Sequence, residues 1–462
     1  MERKMNLAYA ALQGLYWMLY CAVVSFAGVY LLAAGFSNTQ VGLVLAAGSA
    51  AALVTQPLAA AAADSGRRIG PVGLIALLLA VLGVLLALLA WAPPAGRWLG
   101  AAYALALCLV VLLQPLVNAF AFFLELTGVR IRFGTARGTG SLTFAAVCAL
   151  LGALSARLGV AVFPTAGLLL AGTAIALMLF FGAQRRGRRH GAADSRTAGT
   201  NALSKAGTGT LQKGNTADAE AVGANALSKA DADALSKADA DALSKADADA
   251  LSKAGTADTV LLPDAAGAKP AGAQKAAARG WRACGWLLAG TALLFYGHAF
   301  VNSFLIQITR AAGGDVGVMG TLMTVAALTE MPAMLLFDRL YRRISCAQML
   351  RFSSCVFVLR GALMAAAGTV PALYAANLLQ AGAFALFIPA SIRYVSDALP
   401  AADNNKGQAI LSAMITAGNI LSSFAGGRLI DTVGLPAALW LGVAVSACGA
   451  AAVWAGMRPR RA

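Results

Sequence analysis

Apolar residues fill this chain in runs of about twenty or more, and one long polar stretch divides those runs into two equal sets. A helix that crosses the hydrocarbon core of a bilayer needs about twenty such residues. By that length the first half predicts six spans, at 7–34, 39–63, 71–92, 98–125, 139–158 and 161–182. The second half predicts six more, at 284–309, 316–337, 346–368, 371–395, 408–430 and 435–457.

The polar stretch runs from Ala183 to Gly280. It opens with Gln184-Arg-Arg-Gly-Arg-Arg-His190 and closes on Lys275-Ala-Ala-Ala-Arg279. Between them Ala-Asp-Ala-Asp-Ala-Leu-Ser-Lys occurs unchanged at 230–237, 238–245 and 246–253. Its leucines (Leu235, Leu243, Leu251) recur every eight residues, which matches neither a heptad nor an eleven-residue repeat. A helix there would let its leucines drift around the surface and bury almost nothing. An Ala/Asp/Lys/Ser/Gly composition does not offset the entropy of ordering. The expected organisation is a six-helix bundle over 1–182, a disordered low-complexity tether over 183–280 and a second six-helix bundle over 281–462. The expected fold class is an all-α membrane protein.

Composition agrees. Hydrophobic residues make up 59% and charged residues 12%, with a mean hydropathy of +0.72 despite the polar stretch. So few charges over such a length call for a bilayer to cover the apolar surface. The net charge of +16 raises nucleic acid as a partner, but the arginines cluster in short segments between apolar runs instead of along one aromatic-interleaved face. Arg3 and Lys4, Arg67 and Arg68, Arg130 and Arg132, Arg339, Arg342 and Arg343, Lys406, and Arg458, Arg460 and Arg461 fall on one side, with the basic ends of the tether. The opposite loops hold little more than Arg97, Arg310 and Arg428. The positive-inside rule therefore places both termini and the tether in the cytoplasm, with the chain in the cell membrane.

The seven cysteines are odd in number, scattered and without a CxxC pair, so neither a disulfide framework nor a metal site is expected. Zinc-protease, phosphate-loop and nucleophile-elbow motifs do not occur, and His190 and His298 are the only two histidines. An enzyme or an ATP-driven pump is not expected, nor is a cofactor.

The two halves repeat one another. Ala33-Ala34-Gly35 with Gly42 seven residues on is matched by Ala311-Ala312-Gly313 with Gly320 seven residues on. A proline-containing run follows each (Pro57, Pro332), and then an acid with paired arginines. Two six-span repeats are an arrangement that secondary transporters use. Helices in lipid pack through small residues, so Gly418, Gly426 and Gly427 are expected at helix contacts.

Asp64-Ser-Gly66-Arg67-Arg68 and Asp338-Arg339-Leu-Tyr-Arg342-Arg343 resemble the loop signature of the major facilitator superfamily, which joins spans two and three and again eight and nine. The first copy is one residue short, and the second has Tyr341 where glycine is usual. A narrower likeness lies in Phe133-Gly134-Thr-Ala136-Arg137-Gly138-Thr-Gly140-Ser141, similar to the start of the fifth span in the oligosaccharide:proton symporter-like branch, the relatives of lactose permease. The resemblance implies a sugar-binding arginine at Arg137, a substrate-binding glutamate at Glu330 and a coupling arginine at Arg360. Asn118 lies near the branch's acidic partner for that arginine. Gln380 and Ala383 replace the histidine and proton-carrying glutamate of the tenth span, so that relative's proton route does not transfer.

The residues make their own case. Glu330 stands in Val325-Ala-Ala-Leu-Thr-Glu330-Met-Pro332-Ala-Met-Leu-Leu, with no other charge until Asp338. A carboxylate there must be protonated, paired or beside a watered cavity. Arg360 is a cation in a similarly apolar run, available to neutralise Glu330. Tyr296, His298, Asn302 and Gln307 add polar groups to span seven, and Tyr16 and Trp17 offer aromatic faces.

The expected function is alternating-access transport of a small polar solute, a sugar or oligosaccharide, coupled to protons through Glu330 and Arg360, by a monomer. Asn118, Arg137, His298, Asn302, Glu330 and Gln380 would form the binding site. The alternatives are a drug exporter of the same superfamily, which would use an aromatic-lined cavity with one acid, and a non-transporting receptor or scaffold.

Overall fold

The computed structural model describes residues 2–65, 70–91, 97–125, 129–184 and 271–457. The tether expected over 183–280 falls almost entirely outside the described residues, as do Arg67 and Arg68. The described residues form one compact unit.

Twelve described helices are long and apolar enough to cross a membrane. The helical form follows from the solvent, since every backbone N–H and C=O within hydrocarbon must find its partner inside the segment. In the first half these are α1 (Glu2–Ala33), α2 (Asn38–Ser65), α3 (Pro71–Trp91), α4 (Arg97–Glu125), α5 (Phe133–Leu158) and α6 (Val162–Gln184). The second half contributes α7 (Ala271–Ser303, continued by Leu305–Ala311), α8 (Val316–Tyr341), α9 (Cys346–Ala366), α10 (Val370–Ala398), α11 (Ala401–Val433) and α12 (Leu435–Gly456). Each expected span has its helix. α7 begins earlier than the expected boundary at Gly280, because Ala271-Gly-Ala-Gln-Lys-Ala-Ala-Ala-Arg279 is rich in strong helix formers that extend the apolar helix backwards.

The repeat is visible in the backbone. α1 ends with Gly35 at φ 86°, and α7 ends with Gly313 at φ 81°. The next residue's amide in each case, Phe36 N and Gly314 N, reaches back to Leu31 O at 3.1 Å and Thr309 O at 2.8 Å. These are Schellman closures, and glycine supplies their left-handed residue without a Cβ penalty. Gly159 after α5 and Gly434 after α11 form a second matched pair, at φ 75° and 84°.

Three spans are interrupted. α1 carries a π turn at Cys21–Ser25, α7 bends at Phe304 between its two segments, and α10 passes through a 3-10 turn at Leu379–Ala381. In α10 the carbonyl of Ala383 accepts from Phe387 N at 3.1 Å and also from Ser353 Oγ, on α9, at 2.6 Å. The Ser353 bond ties the segment after the break to α9.

The halves meet along two seams, α2 against α11 and α5 against α8. Small residues make both possible. A Cβ on Gly152 would stand 3.1 Å from Gly320 Cα, and one on Gly427 would stand 3.1 Å from Thr39 Cα. Gly418 and Gly426 serve close contact as expected, against Phe295 and against Phe300 with Phe304.

Candidate functional site

Arg137 leaves the second turn of α5 and lies over the indole of Trp17 on α1, its Cζ 4.1 Å from the ring centroid. Its Nη1 donates to Ser141 Oγ, one turn on, at 3.1 Å. Trp17 is held edge-on by Tyr16 (5.4 Å) and Phe144 (6.3 Å) and tilted against Tyr20 (5.4 Å). Gly140 makes the arrangement possible, since a Cβ there would stand 2.5 Å from Trp17 Cδ1. A guanidinium stacked on indole gains about 0.5–2 kcal/mol, more as water is removed. The first half thus presents a cation on an aromatic wall.

Glu330 faces this group from the second half. The α5–α8 seam is antiparallel and fixed by Thr324 Oγ1 donating to Ala145 O at 2.7 Å. From that contact Arg137 lies eight residues back along α5 and Glu330 six residues on along α8, about 12 and 9 Å at 1.5 Å per residue. The two therefore stand near one level, within electrostatic reach of each other. Glu330 is half-buried, and its Oε1 accepts a hydrogen bond from Gln380 Nε2, in the 3-10 turn of α10, at 2.8 Å. The α10 break thus places an amide donor on the carboxylate.

Behind Glu330 lies a second polar cluster. Arg360 on α9 is 3% exposed; its Nη2 donates to Asn377 Oδ1 at 2.9 Å, and its Nη1 lies 3.4 Å from His298 Nδ1. His298 Nε2 meets Asn302 Nδ2 at 2.9 Å, and its ring stacks on Phe384 with centroids 5.3 Å apart. Asn377 also donates to Leu322 O on α8, at 3.3 Å. Arg360 was expected to neutralise Glu330. Among the described residues the two form no ion pair, because Arg360 is taken up by amide and imidazole while Glu330 is held by Gln380. Their charges still act on each other at longer range.

Of the six expected binding residues the structure gathers Arg137, Glu330 and Gln380 at the seam, with His298 and Asn302 one layer away. Asn118 is held by another amide. Its Oδ1 accepts from Gln13 Nε2 at 3.0 Å, and Gln13 Nε2 also reaches Tyr9 Oη at 2.8 Å. The amide thus joins α1 to α4, and no contact links it to Arg137. Gln13, fully buried in α1, was missed, although a lone amide in an apolar run carried the same signal as Asn118. Asn377 was missed for the same reason. Gln307, another polar group of α7, bonds Asn38 on α2 at 2.8 Å, far along the chain from the Arg137–Glu330 level.

The loop motifs are described only in part. The side chains of Asp64 and Asp338, like all of Arg67 and Arg68, lie outside what the structure describes. Arg339, Arg342 and Arg343 are exposed at and beyond the end of α8. Tyr341, at the position where glycine is usual, accepts a hydrogen bond from Arg393 Nε at 3.1 Å.

Buried hydrogen-bonding atoms remain at the site with no partner among the described residues: Trp17 Nε1, Gln380 Oε1 and Arg360 Nε. No group of three or more His, Cys, Asp or Glu side chains suited to a metal ion occurs among the described residues.

Comparison with known proteins agrees with this picture. The chain is 30% identical over 141 residues to the probable 3-phenylpropionic acid transporter of Escherichia coli strain K12, covering 30% of this chain and 37% of that protein. It is 26% identical over 135 residues to the uncharacterized transporter YwbF of Bacillus subtilis strain 168, covering 29% and 34%. These matches span about a third of the length of either relative. Among solved structures the nucleoside transporter NupG superposes with a TM-score of 0.67 at 15% identity, over 98% of this chain and 99% of that one. The POT family transporter PepTSo superposes with 0.65 at 11% identity, over 98% and 97%. At such identities these structures share the fold. A model of the MFS_1 like family matches residues 9–440, and with twelve helices in two matched sets of six the chain belongs to that family of the major facilitator superfamily.

Proposed function

We propose that the chain is a secondary transporter that moves a small polar solute by alternating access, coupled to protons at Glu330. The observation that carries this reading is the placement of Arg137 on α5 and Glu330 on α8 near one level, a cation and an acid on opposite halves. A solute between them touches both halves, so its binding favours their joint movement. Glu330 has an amide donor in Gln380 and two guanidiniums within electrostatic reach. Its charge is tolerated while those groups face it, and a proton replaces them when they turn to the solute. Both termini face the cytoplasm in this reading, the protein works as a monomer in the cell membrane, and the tether of 183–280 does no chemistry.

A sugar or oligosaccharide suits the polar groups: hydroxyls for Glu330, Gln380 and Arg137, and an apolar ring face for Trp17. A second reading has its own support. Arg137 and Arg360 are permanently charged, and Glu330 is the one carboxylate within their reach among the described residues, so the site carries a surplus positive charge whenever Glu330 is protonated. An aromatic carboxylate would balance that charge and stack beside Trp17, and one relative is named for 3-phenylpropionic acid.

Uptake by cells expressing the protein separates the two. Labelled disaccharide, trisaccharide and 3-phenylpropionate are offered in turn. Accumulation of a saccharide selects the first reading and accumulation of the aromatic acid the second. Failure of every member of both classes, with the protein present in the membrane, contradicts the polar-solute reading and favours an exporter.

A further inference from the structure

At the end of the bundle that carries the α1–α2, α7–α8 and α11–α12 turns, α2 lacks partners for its first amides, as any helix does. Part of the need is met locally: Ser37 Oγ accepts from Gln40 N at 3.2 Å, and Gln40 Oε1 accepts from Ser37 N at 2.9 Å. The amide of Thr39 is served from the other half of the protein. Asp431, near the end of α11, accepts from Thr39 N, from Thr39 Oγ1 and from Asn38 Nδ2, each at 2.7 Å. Asn38 Oδ1 in turn accepts from Gln307 Nε2 on α7 at 2.8 Å. A carboxylate at a helix N-terminus also meets the positive end of the helix dipole.

This contact is not a product of the fold's symmetry. Asp431 precedes Gly434 by three residues; the matching glycine of the first half is Gly159, and three residues before it stands Ala156. α8, the counterpart of α2, takes its cap from its own chain neighbour, Asp315 Oδ1 accepting from Val318 N at 2.9 Å. The α5–α8 seam carries the uncharged Thr324–Ala145 bond. One seam therefore has a carboxylate across it where the other has an alanine, and Gly42 and Gly427 bring the backbones of the first seam close enough for the carboxylate to reach.

We propose that Asp431 is a latch that holds this end of the bundle closed, by capping α2 from the opposite half. The inference rests on the alternating-access reading. Opening at this end draws α2 away from α11 and breaks three charge-assisted bonds at once, leaving Thr39 N to water. The latch thus sets the balance between the closed and open states of this end while touching no solute.

Distances between spin labels test it without a solute, so the result stands whatever the protein is found to carry. Labels go at Ala33 and Val433, exposed on opposite halves, after the exposed Cys355 and Cys448 are replaced by serine. Asp431→Asn keeps the shape but loses the charge and one acceptor, and is expected to raise the ratio of long to short distances about tenfold. Thr39→Val removes a single bond and should shift the ratio the same way by less. Unchanged distances in both variants overturn the proposal; if Asp431→Asn does not fold, the Thr39→Val distances decide alone.

Discussion

The guanidinium of Arg137 lies 4.1 Å over the indole of Trp17, and that contact joins α5 to α1 where the proposed site begins. Stacking of this kind needs a planar cation. Lysine carries the charge but not the plane, so the exchange is not conservative here. Arg137→Lys is expected to lower solute uptake at least tenfold at unchanged expression, measured as initial rate in whole cells. Trp17→Phe, which keeps a ring, should cost less than Trp17→Ala.

Gly140 carries a prediction of its own, since a Cβ there would meet Trp17 Cδ1 at 2.5 Å. Gly140→Ala should push the indole off Arg137 and raise the solute KM several-fold. Overpacking of this sort costs about 1–3 kcal/mol, so the purified variant should also melt a few degrees lower.

Asn377 is the acceptor that satisfies Arg360 Nη2 in a site 3% exposed. Asn377→Leu leaves a buried guanidinium short of a partner, at a cost of about 1–3 kcal/mol. The expected readout is a lower Tm in detergent. The companion variant Asn377→Asp, which offers the arginine a charge, should retain more stability than the leucine variant.

Most of the fold was legible in the sequence because lipid imposes a simple rule. Any apolar run of about twenty residues must close its own hydrogen bonds, so helix number and order follow from hydropathy. The repeat was legible too, in Gly35 and Gly313, which the structure shows ending their helices with the same closure. Glu330 stood out as a charge in apolar surroundings and Arg137 through a family resemblance, and the seam sets them near one level. The bond from Gln13 to Asn118 was not legible, because an amide's partner depends on how two helices are rotated against each other. Asp431 gave no signal, since an acid near a helix end looks like ordinary solvated surface. Its partners lie in the other half of the chain, and only packing across the seam brings them to it.

Gly320 offers a test of the α5–α8 seam. A side chain there would press on the Cys148 carbonyl and on Gly152. Gly320→Leu should hold the seam apart, reducing transport at least tenfold while the protein still inserts and purifies. Excision of 200–270, by contrast, should leave the uptake rate within about twofold of the intact chain, as a tether without a site requires. A well-folded deletion that fails to transport would assign that stretch a role.

The central claim is that Glu330 joins solute movement to proton movement, and external pH reports on it most directly. De-energised cells expressing the protein receive disaccharide, trisaccharide or 3-phenylpropionate in a weakly buffered medium. Protons entering with solute leave the medium more alkaline, and uptake should quicken as external pH falls. The account predicts alkalinisation with the transported solute, and its loss in Glu330→Gln while solute exchange across the membrane persists. Alkalinisation of wild-type size in Glu330→Gln would contradict it.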